Sequence, residues 1–483
     1  MQKYADTDNT ITGYCHFFLT ELVKDLKKRG YNRGVYNNIE SIYDILNLSI
    51  AFCSNLFESI VSNFLVCFND VEQFIHIYSE YKDLKNNKMI GFRQTCRYIL
   101  SLLPILRLTS LQNEKNDEEN IDELCKLIAL NNLIQQFNQA RAIQIMNEMC
   151  CLRIEITTIV KIEYTDDKII QLNSLIAATP DLIHKNYLPE DITIDLMHLL
   201  DRLSPTIKII LDYTSQYIFE TSTIIEVSRE VNTTTDDIVK GFAFDVENVN
   251  LLESIKNPYD TNLRTRFRPI LYLNIDGSKR AFISPWMVYE ALHEISTNLL
   301  PYNELPKEWK GYCQLKDFSK NVSAKQGENF EEEIYSYLKN DYNLVKKNIT
   351  GFNNVSLKKQ KVQGTNRKVG EIDFLLIDIN SKTIFIIEAK CTKTKYFLQS
   401  LAKDKSTFEE YSIKLTDKLN WISSNKDIIA KFFKLSSLSD FSVDAFFVSN
   451  SLVFYNFFSE YPIIPLDNMH FYLSTTNRFC MLQ

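Results

Sequence analysis

Two apolar runs in the C-terminal part of the chain, EIDFLLIDI (371–379) and TIFIIEAKC (383–391), carry three charged residues that buried strands seldom hold: Asp373, Glu388 and Lys390. If Asn380-Ser381 is the two-residue turn between them, Asp373 falls directly opposite Glu388. Lys390, two residues beyond Glu388, shares its face. A three-residue loop would slip the register by one and part the set. Carboxylates with Cβ atoms about 5 Å apart repel each other in apolar surroundings, and a divalent cation between them offsets the repulsion. Oxygen-only ligands favour Mg²⁺, with Mn²⁺ as a substitute, over zinc. Lys390 beside that cation could orient or help deprotonate a water and neutralise charge on a pentavalent phosphorane. That is equipment for phosphodiester hydrolysis.

The neighbouring segments read as the elements that would position these groups. GENFEEEIYSYLKN (327–340) is helical, with Phe330, Ile334, Tyr337 and Leu338 on one stripe and Glu331 beside it, while Glu332 and Glu333 face solvent. A basic loop, Lys358, Lys359, Lys361, Arg367 and Lys368, leads directly into the first strand where a phosphate backbone must pass. Lys393 and Lys395 follow the second strand and join that expected nucleic-acid-binding set. A helical run over about 397–435 comes next, and then three β-like segments, SVDAFFVSN, SLVFYNF and MHFYLST. Central strands apolar on both faces require a sheet covered on both sides.

The succession GENFEEEIYSYL, GEIDFLLID, FIIEAK resembles the PD-(D/E)XK, or restriction-endonuclease-like, nuclease superfamily over about 320–400, and loosely to 483. The resemblance implies that Asp373 and Glu388 are metal ligands and that Lys390 is the catalytic lysine. It implies further that Glu331, in the setting Gly327, Phe330, Glu331, is an added acidic ligand and catalytic group. Ile372 stands where the family often has proline. Family members often place a basic or amide group on the later helix, where Lys414 and Lys418 lie one turn apart. The competing reading of the charges alone is a strand-end aspartate with a same-face Glu388–Lys390 salt bridge.

Other chemistries find less support. None of the 6 His pairs with another at ligand spacing, and the 10 Cys are scattered singly apart from Cys150-Cys151, without a C-x-x-C. Disulfides and structural zinc are therefore not expected. No P-loop is present. The apolar stretch LSIAFCSNLFESIVSNFLVCF is interrupted by Ser54, Asn55, Glu58 and Asn63. No membrane span and no signal peptide is expected, so the location is read as cytoplasmic.

Net charge is −7, but residues 311–483 hold 23 Lys+Arg against 19 Asp+Glu, net +4, so the rest carries −11. That asymmetry suggests different partners for the two parts. Residues 1–179 contain one proline, Pro104, and no glycine lies between Gly91 and Gly241. With apolar spacings of three and four, 1–215 reads as an α-helical region for sensing, partner binding or homodimer contact. Residues 216–312 read as a mixed connector with a β-hairpin at 268–284 about Asp276-Gly277. Arg264, Arg266 and Arg268 share one face ahead of it, to grip phosphates or to pair with acidic groups. A boundary is expected near 301–312.

The fold class expected is thus an α-helical N-terminal region plus a C-terminal α/β restriction-endonuclease-like domain at 313–483, a central mixed sheet flanked by helices. The function expected is a Mg²⁺-dependent nuclease, an endonuclease acting on DNA in restriction or phage defence. The alternatives are an RNA-cleaving effector on the same fold and a non-catalytic protein that binds nucleic acid or a partner.

Overall fold

A computed structural model describes residues 7–63, 65–67, 107–109, 117–147, 152–167, 169–170, 187–217, 224–231, 235–244, 267–353, 355–362, 366–393 and 401–474. Cys150-Cys151, Arg264, Arg266 and Lys395 lie outside them. The chain forms two compact units: Met1–Thr165 with Glu190–Lys320, and Asp166–Pro189 with Asn321–Gln483.

The first unit is not all helix. It opens with α1 (Thr7–Lys28), β1 (Gly34–Tyr36), α2 (Ile39–Asn63), β2 (Leu65–Cys67), β3 (Arg107–Thr109), α3 (Asp117–Asn147), β4 (Leu152–Ile156) and β5 (Val160–Tyr164). By length and composition α2 is long and apolar enough to cross a membrane. In this fold its stripe of Ile42, Ile45, Leu46, Cys53 and Phe57 is buried, and α3 answers with Leu127, Leu130, Ile134 and Phe137. Asn55 and Glu58, which interrupt the apolar run, lie on the exposed side. The helical expectation for 1–215 is corrected at β4 and β5. Leu152, Ile154 and Ile156 alternate with more exposed residues, and this period of two makes an antiparallel sheet of order β1-β4-β5.

Then come α4 (Ile192–Leu203), α5 (Pro205–Tyr217), β6 (Ile225–Glu226), α6 (Asp237–Phe242), β7 (Ala243–Phe244), β8 (Ile270–Ile275), β9 (Ser278–Ile283) and α7 (Pro285–Asn298). The expected hairpin is present as β8 and β9. Asp276 and Gly277 both have positive φ, as a two-residue hairpin turn requires. It is no connector, because β8 and β9 sit in a sheet of order β2-β3-β8-β9-β6, with β7 also on β8. The stretch 301–312 is not an open linker either. Trp309 is 0% exposed, stands edge-on to Phe242 and donates to the Ile238 carbonyl at 3.0 Å. A Cβ on Gly241 would lie 2.0 Å from the indole Nε1, so only glycine allows this approach. Arg268 is buried and donates to the carbonyls of Lys240 and Ala243, both at 3.0 Å, and to Glu308 at 2.8 Å. Of the two roles open to it, it takes the ion pair.

The division between the units falls inside α8 (Cys313–Asp341) rather than before it. The second unit continues with β10 (Val345–Ile349), β11 (Gly351–Phe352), β12 (Val355–Ser356), β13 (Ile372–Asp378), β14 (Thr383–Lys390), α9 (Leu401–Ser424), α10 (Lys426–Phe433), β15 (Ser442–Ser449), β16 (Ile463–Pro465) and α11 (Met469–Ser474). Its sheet runs β10-β13-β14-β15-β16, antiparallel across β10, β13 and β14 and parallel across β14, β15 and β16. This is the mixed sheet expected. On one face Phe374, Leu376, Phe385 and Ile387 pack with Phe330, Ile334 and Leu338 of α8 and with α11. On the other, Leu375, Ile377, Ile384 and Ile386 pack with Phe408, Leu415 and Ile422 of α9 and Ile429 and Phe433 of α10. Two segments read as β-like are not strands. Phe454–Phe457 is a 3₁₀ turn, and Met469–Ser474 is a helix that buries Met469, Tyr472 and Leu473. β10 and the short β16 carried no such expectation.

Candidate active site

The β13–β14 hairpin fixes the site. Its register pairs Phe374 with Ile387 and Asp378 with Thr383, which leaves 379–382 as a four-residue turn about Asn380-Ser381; it is longer than the two-residue loop expected, but two residues more keep the same register. The Asp378 carboxylate holds that turn, accepting from the Asn380 amide at 2.9 Å and the Ser381 hydroxyl at 2.6 Å. One step beyond the Phe374–Ile387 pair, Asp373 therefore faces Glu388. The alternation of β13 and β14 sends Asp373, Glu388 and Lys390 to the α9 face, at the hairpin's open end.

The charges interlock there. Asp373 Oδ2 accepts from the Ala389 amide at 2.9 Å, and the Asp373 amide lies 3.5 Å from Glu388 Oε1. Lys390 Nζ is 3.3 Å from Glu388 Oε2, 3.6 Å from Asp373 Oδ2 and 3.0 Å from the Ala389 carbonyl oxygen. The same ammonium lies 5.2 Å from the centroid of the Tyr411 ring on α9. A fourth group completes the set: Lys418 Nζ is 2.5 Å from Glu388 Oε1, and both side chains are only 8% exposed.

These surroundings shift the ionisations. Burial raises the Asp373 carboxyl above the usual aspartate range, and the Glu388 charge raises it further, against the pull of Lys390 and Lys418. Burial alone would lower Lys390, but the charges of Glu388 and Asp373 together outweigh it and raise it, so its ammonium is held. Cys391, next in the chain, is pushed up to about 12 by burial and then by the charge of Glu331, so it offers no thiolate near neutral pH.

Glu331 is placed differently. It rises on α8, which packs on the opposite face of the sheet. Its carboxyl is raised by burial and by the charge of Asp373. Among the described residues, however, no three His, Cys, Asp or Glu side chains group as metal ligands. Asp373 and Glu388 thus share the α9 face, while Glu331 rises from the helix on the other face, within electrostatic reach of Asp373 and Lys390. Glu332 pairs with Lys347, and Glu333 interacts with Tyr187.

The basic loop divides in two. Arg367 makes a bidentate pair with Asp417 of α9, at 2.8 and 2.9 Å, and Lys358 lies 3.4 Å from Glu371. These two are tied into the fold. Lys361 and Lys368 oppose each other across an antiparallel bridge, and with Lys359 they are exposed and make no ion pair among the described residues. Like charges directly opposite destabilise a ribbon, and a polyanion would relieve them. Lys393 is half-buried just beyond β14.

The oxygen groups suit a hard cation. Two carboxylates and the Ala389 carbonyl already surround one cation, the Lys390 ammonium. Mg²⁺ commonly uses one or two carboxylates and fills its remaining positions with water and phosphate, so a two-carboxylate site fits it better than an all-protein cage would.

Of Lys414 and Lys418, the two lysines that the resemblance offers on the later helix, Lys418 is the one at the site. Phe408, Tyr411, Leu415 and Ile422 form the inward stripe of α9, and position 418 belongs to that stripe. A lysine at such a position signals a buried partner.

Matched against protein-family models, curated proteins and solved structures, the chain finds no counterpart.

Proposed function

We propose that this chain is a divalent-cation-dependent nuclease of the restriction-endonuclease-like kind, hydrolysing phosphodiester bonds in DNA. The observation that carries the reading is the convergence of Asp373, Glu388 and Lys390 at the open end of one hairpin, in the expected register. Asp373 and Glu388 would hold Mg²⁺ or Mn²⁺, with water and phosphate oxygens completing the shell, while the Ala389 carbonyl stays with Lys390. When bound, such an ion supplies Lewis-acid activation of water and phosphate. Lys390, kept protonated by its two carboxylates, orients the attacking water and neutralises the charge that grows on the phosphate. The Ala389 amide pins Asp373, so that its other oxygen, Oδ1, is aimed. The exposed Lys359, Lys361 and Lys368 lie just ahead of β13 and suit the nucleic-acid backbone. The first unit, with its acidic balance, is assigned to sensing or partner binding, as in a defence effector.

A second reading is favoured by one observation. Lys390 and Lys418 already neutralise the carboxylates, as they would in a site that binds nucleic acid without cutting it. One experiment separates the readings: incubation of the protein with plasmid DNA, single-stranded DNA and RNA, in Mg²⁺, Mn²⁺ or EDTA. Cation-dependent cleavage of DNA is expected, abolished by Asp373→Ala and lowered by several orders of magnitude in Lys390→Met. Cleavage of RNA alone would move the substrate assignment. Full activity in Asp373→Ala would end the metal-site assignment.

A further inference from the structure

We propose that Lys418 is an internal counter-cation: its ammonium holds Glu388 while the site is metal-free and must leave when a divalent cation binds. The inference rests on Asp373 and Glu388 being the cation's ligands.

The geometry sets Lys418 apart from Lys390. Lys390 has three acceptors within 3.6 Å, namely Glu388, Asp373 and the Ala389 carbonyl. It can yield Glu388 and stay where it is. Among the described residues Lys418 has one, Glu388 Oε1 at 2.5 Å. Its side chain occupies the apolar stripe of α9, where an ammonium is tolerated only while paired. Glu388 is equally committed, since Oε1 serves Lys418 and the Asp373 amide while Oε2 serves Lys390. A divalent cation on Glu388 would sit about 2 Å from a carboxylate oxygen. It would then meet the Lys418 ammonium at close range in a poorly solvated site, where charges of like sign are only weakly screened. The two cations compete for one carboxylate, and the one with a single contact is displaced.

The test uses the full chain and Mn²⁺ alone, without nucleic acid, so that it reads binding rather than cleavage. Calorimetric titration should show Lys418→Met binding Mn²⁺ at least ten-fold more tightly than the wild type. Lys418→Arg keeps the charge and should retain the weaker affinity. Lys414→Met, whose lysine pairs with Glu410 on the exposed side of α9, should match the wild type. A second measurement needs no variant. Amine labelling followed by mass spectrometry should find Lys418 protected in EDTA and labelled at least ten-fold faster in saturating Mn²⁺, with Lys414 unchanged. Equal Mn²⁺ affinity in wild type and Lys418→Met, or Lys418 still protected with Mn²⁺ bound, overturns the counter-cation role and leaves the metal site standing. Absence of Mn²⁺ binding in every protein overturns the metal site itself.

Discussion

The Glu388–Lys418 pair invites a double-mutant cycle on stability. At an effective dielectric constant of about 20, unit charges 2.5 Å apart attract by about 7 kcal/mol. Lys390, at 3.3 Å from the same carboxylate, adds about 5 kcal/mol. Against this stands a desolvation cost of several kcal/mol for each buried ion, so the pair contributes little net. Orphaning one partner is another matter, because the cost stays and the attraction goes. Lys418→Met leaves Glu388 with Lys390 alone, and a loss of about 3 kcal/mol is expected, the low end of the range for breaking a buried pair. Glu388→Gln strands the Lys418 ammonium in an apolar stripe and should cost at least as much, about 3–5 kcal/mol. The double variant strands neither and keeps the Lys390–Asp373 contact, so it should lie within about 1 kcal/mol of the wild type. The coupling would then be about 5 kcal/mol or more, well outside the additivity of independent sites. Native-state hydrogen exchange in EDTA, read on the slowest amides of β13 and β14, reports this unit without interference from the other. Losses that add to within about 0.5 kcal/mol in the double variant would refute the reasoning.

Two further outcomes follow from the same geometry. Asp373→Asn keeps an acceptor for the Ala389 amide and removes a carboxyl whose folded-state pKa is raised by burial and Glu388. The stability such a group contributes is present below its unfolded value, about 3.9, and is lost as pH rises through the raised folded value. The variant should therefore gain on the wild type in EDTA as pH rises from 4 toward neutrality. Melting curves at several pH values check this, and an advantage that shrinks with pH would contradict it. Gly241→Ala would place a Cβ 2.0 Å from the Trp309 indole and should lower the first unit's stability by about 3 kcal/mol or more, through overpacking and loss of the bond to Ile238. Urea unfolding measures the loss, and near-wild-type stability would mean that the indole moves aside freely.

Much of the site was legible because its geometry is local. The β13–β14 register depends on one turn and a run of alternating residues, and a turn centred on Asn380-Ser381 opposes Asp373 to Glu388 whether it has the two residues expected or the four found. Glu331 could not be placed in the same way. The apolar stripe of α8 specifies which side of the helix is buried, not which face of the sheet receives it. Lys418 comes from an element eleven residues past β14; the resemblance offered it together with Lys414, and only its place in an otherwise apolar stripe separates the two. In the first unit, β1, β2 and β3 are three residues each, too short for a period of two to stand out between long helices. The aromatic residues of 454–457 and 469–474 suggested strands by propensity, but they are used to pack a 3₁₀ turn and a short helix, a case of tertiary packing overriding local preference.

The cost of the cluster bears on its purpose. At its closed end the hairpin is finished by Asp378, whose carboxylate satisfies the turn amide and hydroxyl and leaves nothing over. At its open end four charges stand where Leu375, Ile377, Ile384 and Ile386 have just supplied a dry core on the same face. Apolar side chains there would extend that core without any desolvation penalty, and replacements of buried ion pairs by packed hydrophobic residues are often neutral or stabilising. The four charges do not need one another to fold the hairpin, because the register is already fixed by the turn and by the alternating apolar residues. Stability and register are thus provided without them. What they supply is two carboxylates on one face with a protonated lysine against both, together with a second lysine whose single contact makes it exchangeable. That combination suits a site that takes up and releases cations, and it supports the nuclease reading over a salt bridge kept for stability.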